Sequence, residues 1–164
     1  MVQSFLQKTI ARSAGGLLAV CLLLAANASY AAEEFNFDKG GYVLHGYDPV
    51  AYHTENRAVE GRDAYVAVHE GARYRFSSAE NMTAFKADPA KYEPAYGGWC
   101  SYGVRVGKKF DIDPTAFKVI DSRLYVQLDQ GTQKIWLKDE GKNIAIADRL
   151  WPSLKPVTRE VLGD

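Results

Sequence analysis

Residues 65–81 read YVAVHEGARYRFSSAEN, and this stretch decides the class of fold. Residues 65–69 and 72–76 are rich in β-branched and aromatic side chains, and Glu70-Gly71 separates them. Two such runs joined by a tight polar connection predict a β-hairpin. In the second run, arginine alternates with tyrosine and phenylalanine, so one face of that strand is expected to meet water and the other to pack.

The same stretch ends with the signal for a helix. Ser77, followed three residues later by Glu80, is typical of a capping box, with Ser77 as the N-cap. The helix is expected to end at Asp88-Pro89, because a residue that precedes proline disfavours helical geometry. Residues 89–92 are expected to add one further helical turn.

The pattern of strands and helices continues along the chain. Residues 117–120 and 124–128 flank a polar connection and predict a second hairpin. Two helices are expected after it, over residues 132–138 and 143–150. Asn143 is expected to cap the second of these helices, and Trp151-Pro152 is expected to stop it.

Taken together, these elements predict an α+β fold: a small antiparallel β-sheet of hairpins packed with three or four short helices in a single domain. We expect residues 42–152 to form that domain. Residues 32–41 are expected to be a flexible lead-in, and residues 153–164 a C-terminal tail. No internal repeat is evident in the sequence.

The first 31 residues have the pattern of a secretory signal: a basic start, a short apolar run over residues 15–26, and small residues before the mature chain. Cleavage is expected after Ala31, with Ala28 as the second choice. An uncleaved anchor and lipidation at Cys21 are alternatives. We therefore expect an exported, periplasmic protein without a stable membrane span after cleavage, because the apolar run is shorter than the about 20 residues that a span requires.

Charge and cysteine content narrow the classes of function. The chain has 20 basic and 20 acidic residues, and the predicted signal removes two basic ones, so the mature chain has 20 − 2 = 18 basic residues and a net charge near −2. This balance argues against a nucleic-acid partner, which usually requires a basic surplus. Cys100 is then the single cysteine left, and an unpaired cysteine in an exported protein suggests a reactive thiol, a metal ligand or an intermolecular bridge. The alternative is a small buried hydrophobic residue.

Several strings of the chain resemble the YHS family, and in particular its exported bacterial members. They cover nearly all of residues 42–152. The family's Asp-Pro-Val opening is matched at residues 48–50, and its central pattern at Gly71–Asn81, Phe85, Asp88-Pro89 and Tyr92; the exported members are matched at residues 46–52, 96–100 and 146–148 and at Trp151-Pro152.

The resemblance implies a metal-binding module, since YHS domains occur alone or attached to copper-transporting ATPases and multicomponent oxygenases. In thiol-rich members of the family, cysteines follow the Asp-Pro-Val string and flank the start of the helix. This chain has Ala51, Ser77 and Asn81 at those positions, and none of the three supplies a thiolate. The family's usual metal site is therefore absent by residue type.

A different set of residues is the candidate for a metal site here. Cys100, His45 and His53 carry the soft thiolate and imidazole donors that suit copper or zinc. His45 and His53 lie on either side of the Asp48-Pro49 turn, and Cys100 would have to be brought to them by the fold. The third histidine, His69, ends a strand and is expected to face solvent.

Three functions remain open from the sequence. The first is a metal-binding module, for copper or zinc. The second is an interaction or structural module whose partner is a protein and whose Cys100 is only packed in the core. The third is a thiol-dependent enzyme, for which Cys100 would need a histidine within hydrogen-bond reach; no orienting third group and no other catalytic motif is evident.

Overall fold

In the computed structural model, residues 34–163 are described, and the predicted signal with Cys21 lies outside them. The helices are α1 (Pro49–Thr54), α2 (Ala79–Ala87), α3 (Pro89–Tyr92), α4 (Ser101–Arg105), α5 (Gln130–Trp136), α6 (Glu140–Leu154) and α7 (Arg159–Leu162). The strands are β1 (Arg62–His69), β2 (Ala72–Phe76), β3 (Asp113–Ile120) and β4 (Arg123–Gln127), and short 3₁₀ turns span Leu44–Gly46, Ala95–Gly98 and Leu137–Asp139. None of the helices in this part of the chain combines the length and apolarity needed to cross a bilayer.

The α+β prediction is confirmed. β1 pairs with β2, and β3 with β4, as two separate antiparallel hairpins. The described residues form more helices than expected, because α1, α4 and α7 are segments of only four to six residues.

The two hairpins have the same pairing pattern: each paired residue of the second lies 51 positions after its counterpart in the first (113 − 62 = 51). In each, the first pair is followed by a register shift and then by four consecutive pairs. The first hairpin begins at the pair Arg62 and Phe76, and the second at Asp113 and Gln127. Such a coincidence of bulge and register indicates a shared local architecture, because each bulge is a specific departure from regular pairing.

The segments before and after the hairpins also correspond. Leu44–Gly46 has φ values of 56°, 53° and 77°, and residues 96–98 have 57°, 61° and 80°, 52 residues later (96 − 44 = 52). Each of these left-handed turns follows an isolated parallel bridge to the neighbouring hairpin, Tyr42 with Arg73 and Pro94 with Leu124.

The helix that follows each hairpin starts in the same way. Ser78 caps α2 by accepting a hydrogen bond from the amide of Asn81 at 3.1 Å, and Asp129 caps α5 by accepting one from Thr132 at 2.6 Å. The fold is thus an internal duplication, with repeat A over residues 42–87 and repeat B over residues 94–136. No repeat is evident in the sequence because what is repeated is backbone geometry rather than residue identity.

Three local predictions also need correction. Ser78, not Ser77, caps α2, since Ser77 binds Asp48 instead. Asn143 lies buried inside α6, where its amide donates to the carbonyl of Trp136 and its oxygen accepts from Arg105. Pro152 does not stop α6, which continues to Leu154 because Leu154 packs in the core.

The chain on either side of residues 42–152 is packed rather than loose where it is described. Phe35 and Asn36 are buried, and the amide of Asn36 donates to the carbonyl of Gly97 at 2.9 Å. At the other end, the ammonium of Lys109 donates to the carbonyls of Lys155 and Val157, at 3.0 and 2.7 Å. Both terminal segments therefore belong to the folded unit.

The core has two clusters of buried side chains. One gathers the aromatic residues of repeat A around Phe76 and Phe85 and includes Phe35 and Val126. The other gathers Tyr96, Trp99, Tyr125 and Trp136 and packs against α6. A surface cleft lies where Phe35, from the first cluster, faces Tyr96, from the second.

Candidate functional site

Cys100 is fully buried at the N-cap of α4. Its Sγ accepts hydrogen bonds from the amides of Gly103 at 3.4 Å and Leu128 at 3.2 Å, and it donates to Oε1 of Gln127 at 3.6 Å. Burial raises the pKa of the Cys100 thiol, and hydrogen bonds from backbone amides only partly oppose this effect. The side chain is thus a neutral thiol held by structural contacts.

The internal duplication explains why Cys100 sits there. Cys100 in repeat B corresponds to Asp48 in repeat A, 52 residues earlier (100 − 48 = 52). Each residue caps a short helix, and each also accepts a hydrogen bond from the amide of the first residue after the hairpin, Ser77 for Asp48 and Leu128 for Cys100. In both repeats one side chain ties the helix start to the end of the hairpin, which is a structural task.

His45 is engaged elsewhere. Its Nε2 lies 2.8 Å from Oδ1 of Asp111, and the same carboxylate accepts hydrogen bonds from Asn36 and from the amide of Ile112. Burial acts to raise the pKa of Asp111, but these hydrogen bonds and the charge of His45 outweigh burial and leave the pKa lowered. The imidazole of His45 is therefore oriented by Asp111 rather than by Cys100.

The other two histidines have different contacts. The ring of His53 packs edge-on against Tyr92 at 5.4 Å, and its buried Nε2 has no hydrogen-bond partner among residues 34–163. Burial lowers the pKa of His53, and the charge of Lys91 lowers it further. His69 is only partly exposed, and its Nε2 lies 3.9 Å from a carboxylate oxygen of Glu93.

The structure does not bring the predicted metal ligands Cys100, His45 and His53 together. The hydrogen-bond partners of the Cys100 sulfur include no imidazole. Within residues 34–163, no group of three or more His, Cys, Asp or Glu side chains could hold a metal ion. Cys100 caps α4, whereas Asp111 orients His45 and Tyr92 packs against His53.

We expect the thiol of Cys100 to react slowly in the folded protein, because burial keeps it neutral and inaccessible. Native protein mixed with an aromatic disulfide reagent should be labelled at least about a hundredfold more slowly than protein unfolded in guanidinium, since the reaction must await an opening of the fold. Rapid, stoichiometric labelling of the native protein would contradict the burial described above.

Residues 51, 77 and 81, which the sequence resemblance matches to cysteines of thiol-rich YHS members, converge on a carboxylate. Oδ2 of the fully buried Asp48 accepts hydrogen bonds from the Ser77 hydroxyl at 2.6 Å and the Asn81 amide group at 2.7 Å. Oδ1 accepts from the backbone amides of Val50 and Ala51. Hydrogen bonds to a carboxylate thus occupy the place where the resemblance implies thiolates.

The strongest candidate for a functional site is the cleft between the two core clusters. It has a volume of about 230 Å³, and its lining residues include three glutamates, two basic residues, the buried Tyr96 and the partly exposed Trp151. We call it the acidic cleft. Its charged lining residues are Glu34, Glu70, Glu93, Arg123 and Lys155.

The two cations of the acidic cleft are already paired. Lys155 forms an ion pair with Glu34, and Arg123 forms one with Asp148 at 3.2 Å. Glu70 takes part in neither of these ion pairs, and Glu93 lies 3.9 Å from Nε2 of His69. The pKa of Glu93 is raised, mainly by burial; the charge of His69 lowers it, the negative charges of Glu70 and Glu34 raise it, and the charge of Lys155 lowers it. The cleft therefore favours the binding of positive charge.

A buried hydroxyl lies under the influence of the same carboxylates. Tyr74 is almost completely buried, and its hydroxyl has no hydrogen-bond partner among the described residues. Burial raises the pKa of Tyr74, and the charges of Glu93, Glu70 and Glu34 raise it further. An unpaired buried polar group is costly and is seldom retained without a reason.

The sequence does not predict the acidic cleft, because the residues that line it come from separate parts of the chain. Glu34 precedes repeat A, Glu70 lies in the turn of the first hairpin, and Glu93 lies between the repeats. No motif spacing joins them. The one local signal was the string at residues 96–98, whose Gly-Gly pair marks the close approach of backbone that forms one wall.

Comparisons with known proteins add no assignment: no protein-family model matches this chain, and no curated protein or solved structure matches it either. The likeness to YHS domains therefore depends on the residues quoted from the sequence alone.

Proposed function

We propose that this chain is an interaction module that captures a positively charged group of its ligand in the acidic cleft. The observation that carries the proposal is Glu93: this half-buried residue lines the cleft together with Glu70 and Glu34 and with the partly exposed Trp151. Small concave sites with a few convergent polar groups and a perturbed pKa are the usual places for ligand binding.

The aromatic lining supports a cationic ligand in a second way. Tyr96 and Trp151 pack edge to face at 5.8 Å. Aromatic faces attract cations through the ring quadrupole, and the attraction grows when the cation loses water. Carboxylates and the partly exposed ring of Trp151 in one cleft therefore favour ammonium and guanidinium groups over neutral or anionic ones.

Two further proposals accompany this one. The N-terminal pattern supports an exported protein, so the ligand would be met outside the cytoplasm. The quoted strings and the convergence of residues 51, 77 and 81 near Asp48 support kinship with YHS domains, in a form that keeps the architecture of the helix start and replaces its thiols.

The test is a titration of the full chain with blocked amino acids of different charge, followed by the NMR signals of the cleft residues. N-acetyl-lysine N-methylamide should shift the amides of Glu70, Glu93 and Tyr96, whereas the glutamine and glutamate analogues should not. Salt should weaken the effect, because the exposed part of the attraction is screened over about 10 Å at 0.1 M ionic strength.

The controls follow from the charges. Glu93→Gln should reduce the affinity for the cation several-fold, while Glu80→Gln, which removes an equal charge at an exposed site on α2, should leave it unchanged. Acid should weaken binding as Glu93 gains a proton, starting above the usual range of a glutamate because its pKa is raised. Equal shifts with the anionic analogue would refute the proposal.

A further inference from the structure

We infer that the acidic cleft takes the guanidinium group of an arginine side chain presented by a protein partner. The inference rests on the proposed capture of cations and names the chemistry and the source of the ligand. Three properties of the cleft carry it: its size, the planar ring of Trp151, and the partial burial of Glu93.

Size limits what can enter. Sites for drug-sized ligands usually measure about 300–1,000 Å³, and the acidic cleft measures about 230 Å³. A cleft of this volume accepts the head and part of the stem of one long side chain. The rest of the ligand must then stay outside, as it does when a side chain projects from the surface of a protein partner.

The aromatic wall favours a planar cation. Guanidinium is flat and delocalised and stacks on aromatic faces, whereas an ammonium is a compact point charge. The ring available to a ligand is that of Trp151, which is partly exposed, because Tyr96 is buried and is already contacted by the guanidinium of Arg123.

The partial burial of Glu93 favours guanidinium over ammonium, because the two cations differ in how strongly they hold water. Glu93 is about half buried, so a cation that pairs with it must give up part of its water. Guanidinium is more weakly hydrated than ammonium, and its fork of donors pairs with one carboxylate through two parallel hydrogen bonds. Glu93 supplies that acceptor, and Glu70 lies close enough to raise the pKa of Glu93.

The test compares three blocked residues of nearly equal size on the full chain by NMR titration. N-acetyl-arginine N-methylamide is expected to bind about tenfold more tightly than the citrulline analogue, which keeps the shape and loses the charge, as expected for a charge-assisted pair. It is also expected to bind about threefold more tightly than the lysine analogue, since only guanidinium pairs in a bidentate way.

Variants locate the site. Glu93→Gln should remove most of the preference for arginine over citrulline, and Glu80→Gln should keep it. Spermidine tests whether the natural ligand is a small polyamine rather than a protein side chain. Its affinity should not exceed that of an arginine-containing peptide of about five residues.

The outcomes separate the two proposals. Lysine and arginine analogues that bind equally well, a preference that survives in Glu93→Gln, or tighter binding of spermidine than of the peptide would each overturn the arginine inference while leaving cation capture intact. Absence of binding by every cation would overturn both.

Discussion

Substitution of Asp48 by alanine is expected to lower the free energy of unfolding by roughly 3–5 kcal/mol, because a lost N-cap costs about 1 kcal/mol and each buried donor left unpaired costs about 1–3 kcal/mol. The carboxylate of Asp48 accepts from the amides of Val50 and Ala51, from the amide and hydroxyl of Ser77, and from the side chain of Asn81. All of these donors lose their acceptor at once.

Urea denaturation followed by circular dichroism measures the effect. Asp139→Ala is the matched control, since Asp139 is exposed and makes no capping hydrogen bond, and its cost should stay within about 0.5 kcal/mol. Asp48→Asn should fall between the two, because an amide keeps one acceptor oxygen but turns a donor toward the others. A cost below about 1 kcal/mol for Asp48→Ala would show that the network contributes little, since typical surface changes cost less than that.

The hairpins could be predicted from the sequence because their signals are local. The alternation of Arg73 and Arg75 with Tyr74 and Phe76 sets the faces of β2, and Glu70-Gly71 sets its turn. The N-cap of α2 could not be placed in the same way. Ser77 and Ser78 fit a cap about equally well, and what decides between them is Asp48, which lies 29 residues before Ser77.

The duplication was hidden for a related reason. A left-handed turn, a bulge or an N-cap can be built from different residues, as Leu44 and Tyr96, or Ser78 and Asp129, demonstrate. Backbone geometry therefore persists where residue identity does not. Cys100 is an example. As an unpaired cysteine it suggests a reactive thiol or a metal ligand, whereas its counterpart Asp48 indicates that both residues cap a helix and bind the end of a hairpin.

Gly97→Ala is expected to destabilise the fold by roughly 2–5 kcal/mol, from about 1–2 kcal/mol for a left-handed alanine and about 1–3 kcal/mol for overpacking. Gly97 has φ +61°, and a Cβ there would lie 2.1 Å from the carbonyl oxygen of Glu34 and 3.2 Å from Cα of Phe35. These are backbone atoms, so the neighbour cannot simply change a rotamer.

Gly71→Ala separates the two contributions. Gly71 has φ +81°, and a Cβ at this position would meet no atom within 4 Å, so its variant should cost only the conformational part, about 1–2 kcal/mol. The difference between the variants, read from urea denaturation, then reports the close approach of residues 34 and 35 to residue 97.

The same pair of variants links the fold to the acidic cleft. The carbonyl of Glu34 accepts from the indole of Trp99 at 3.2 Å, and the amide of Asn36 donates to the carbonyl of Gly97, so the close approach holds Glu34 at the cleft. Gly97→Ala should therefore weaken the binding of N-acetyl-arginine N-methylamide under conditions in which the variant remains folded, whereas Gly71→Ala should bind more nearly as the parent does. A Gly97→Ala protein with parental stability and parental binding would show that the segment before repeat A is not held by this contact, and would remove Glu34 from the account of the cleft.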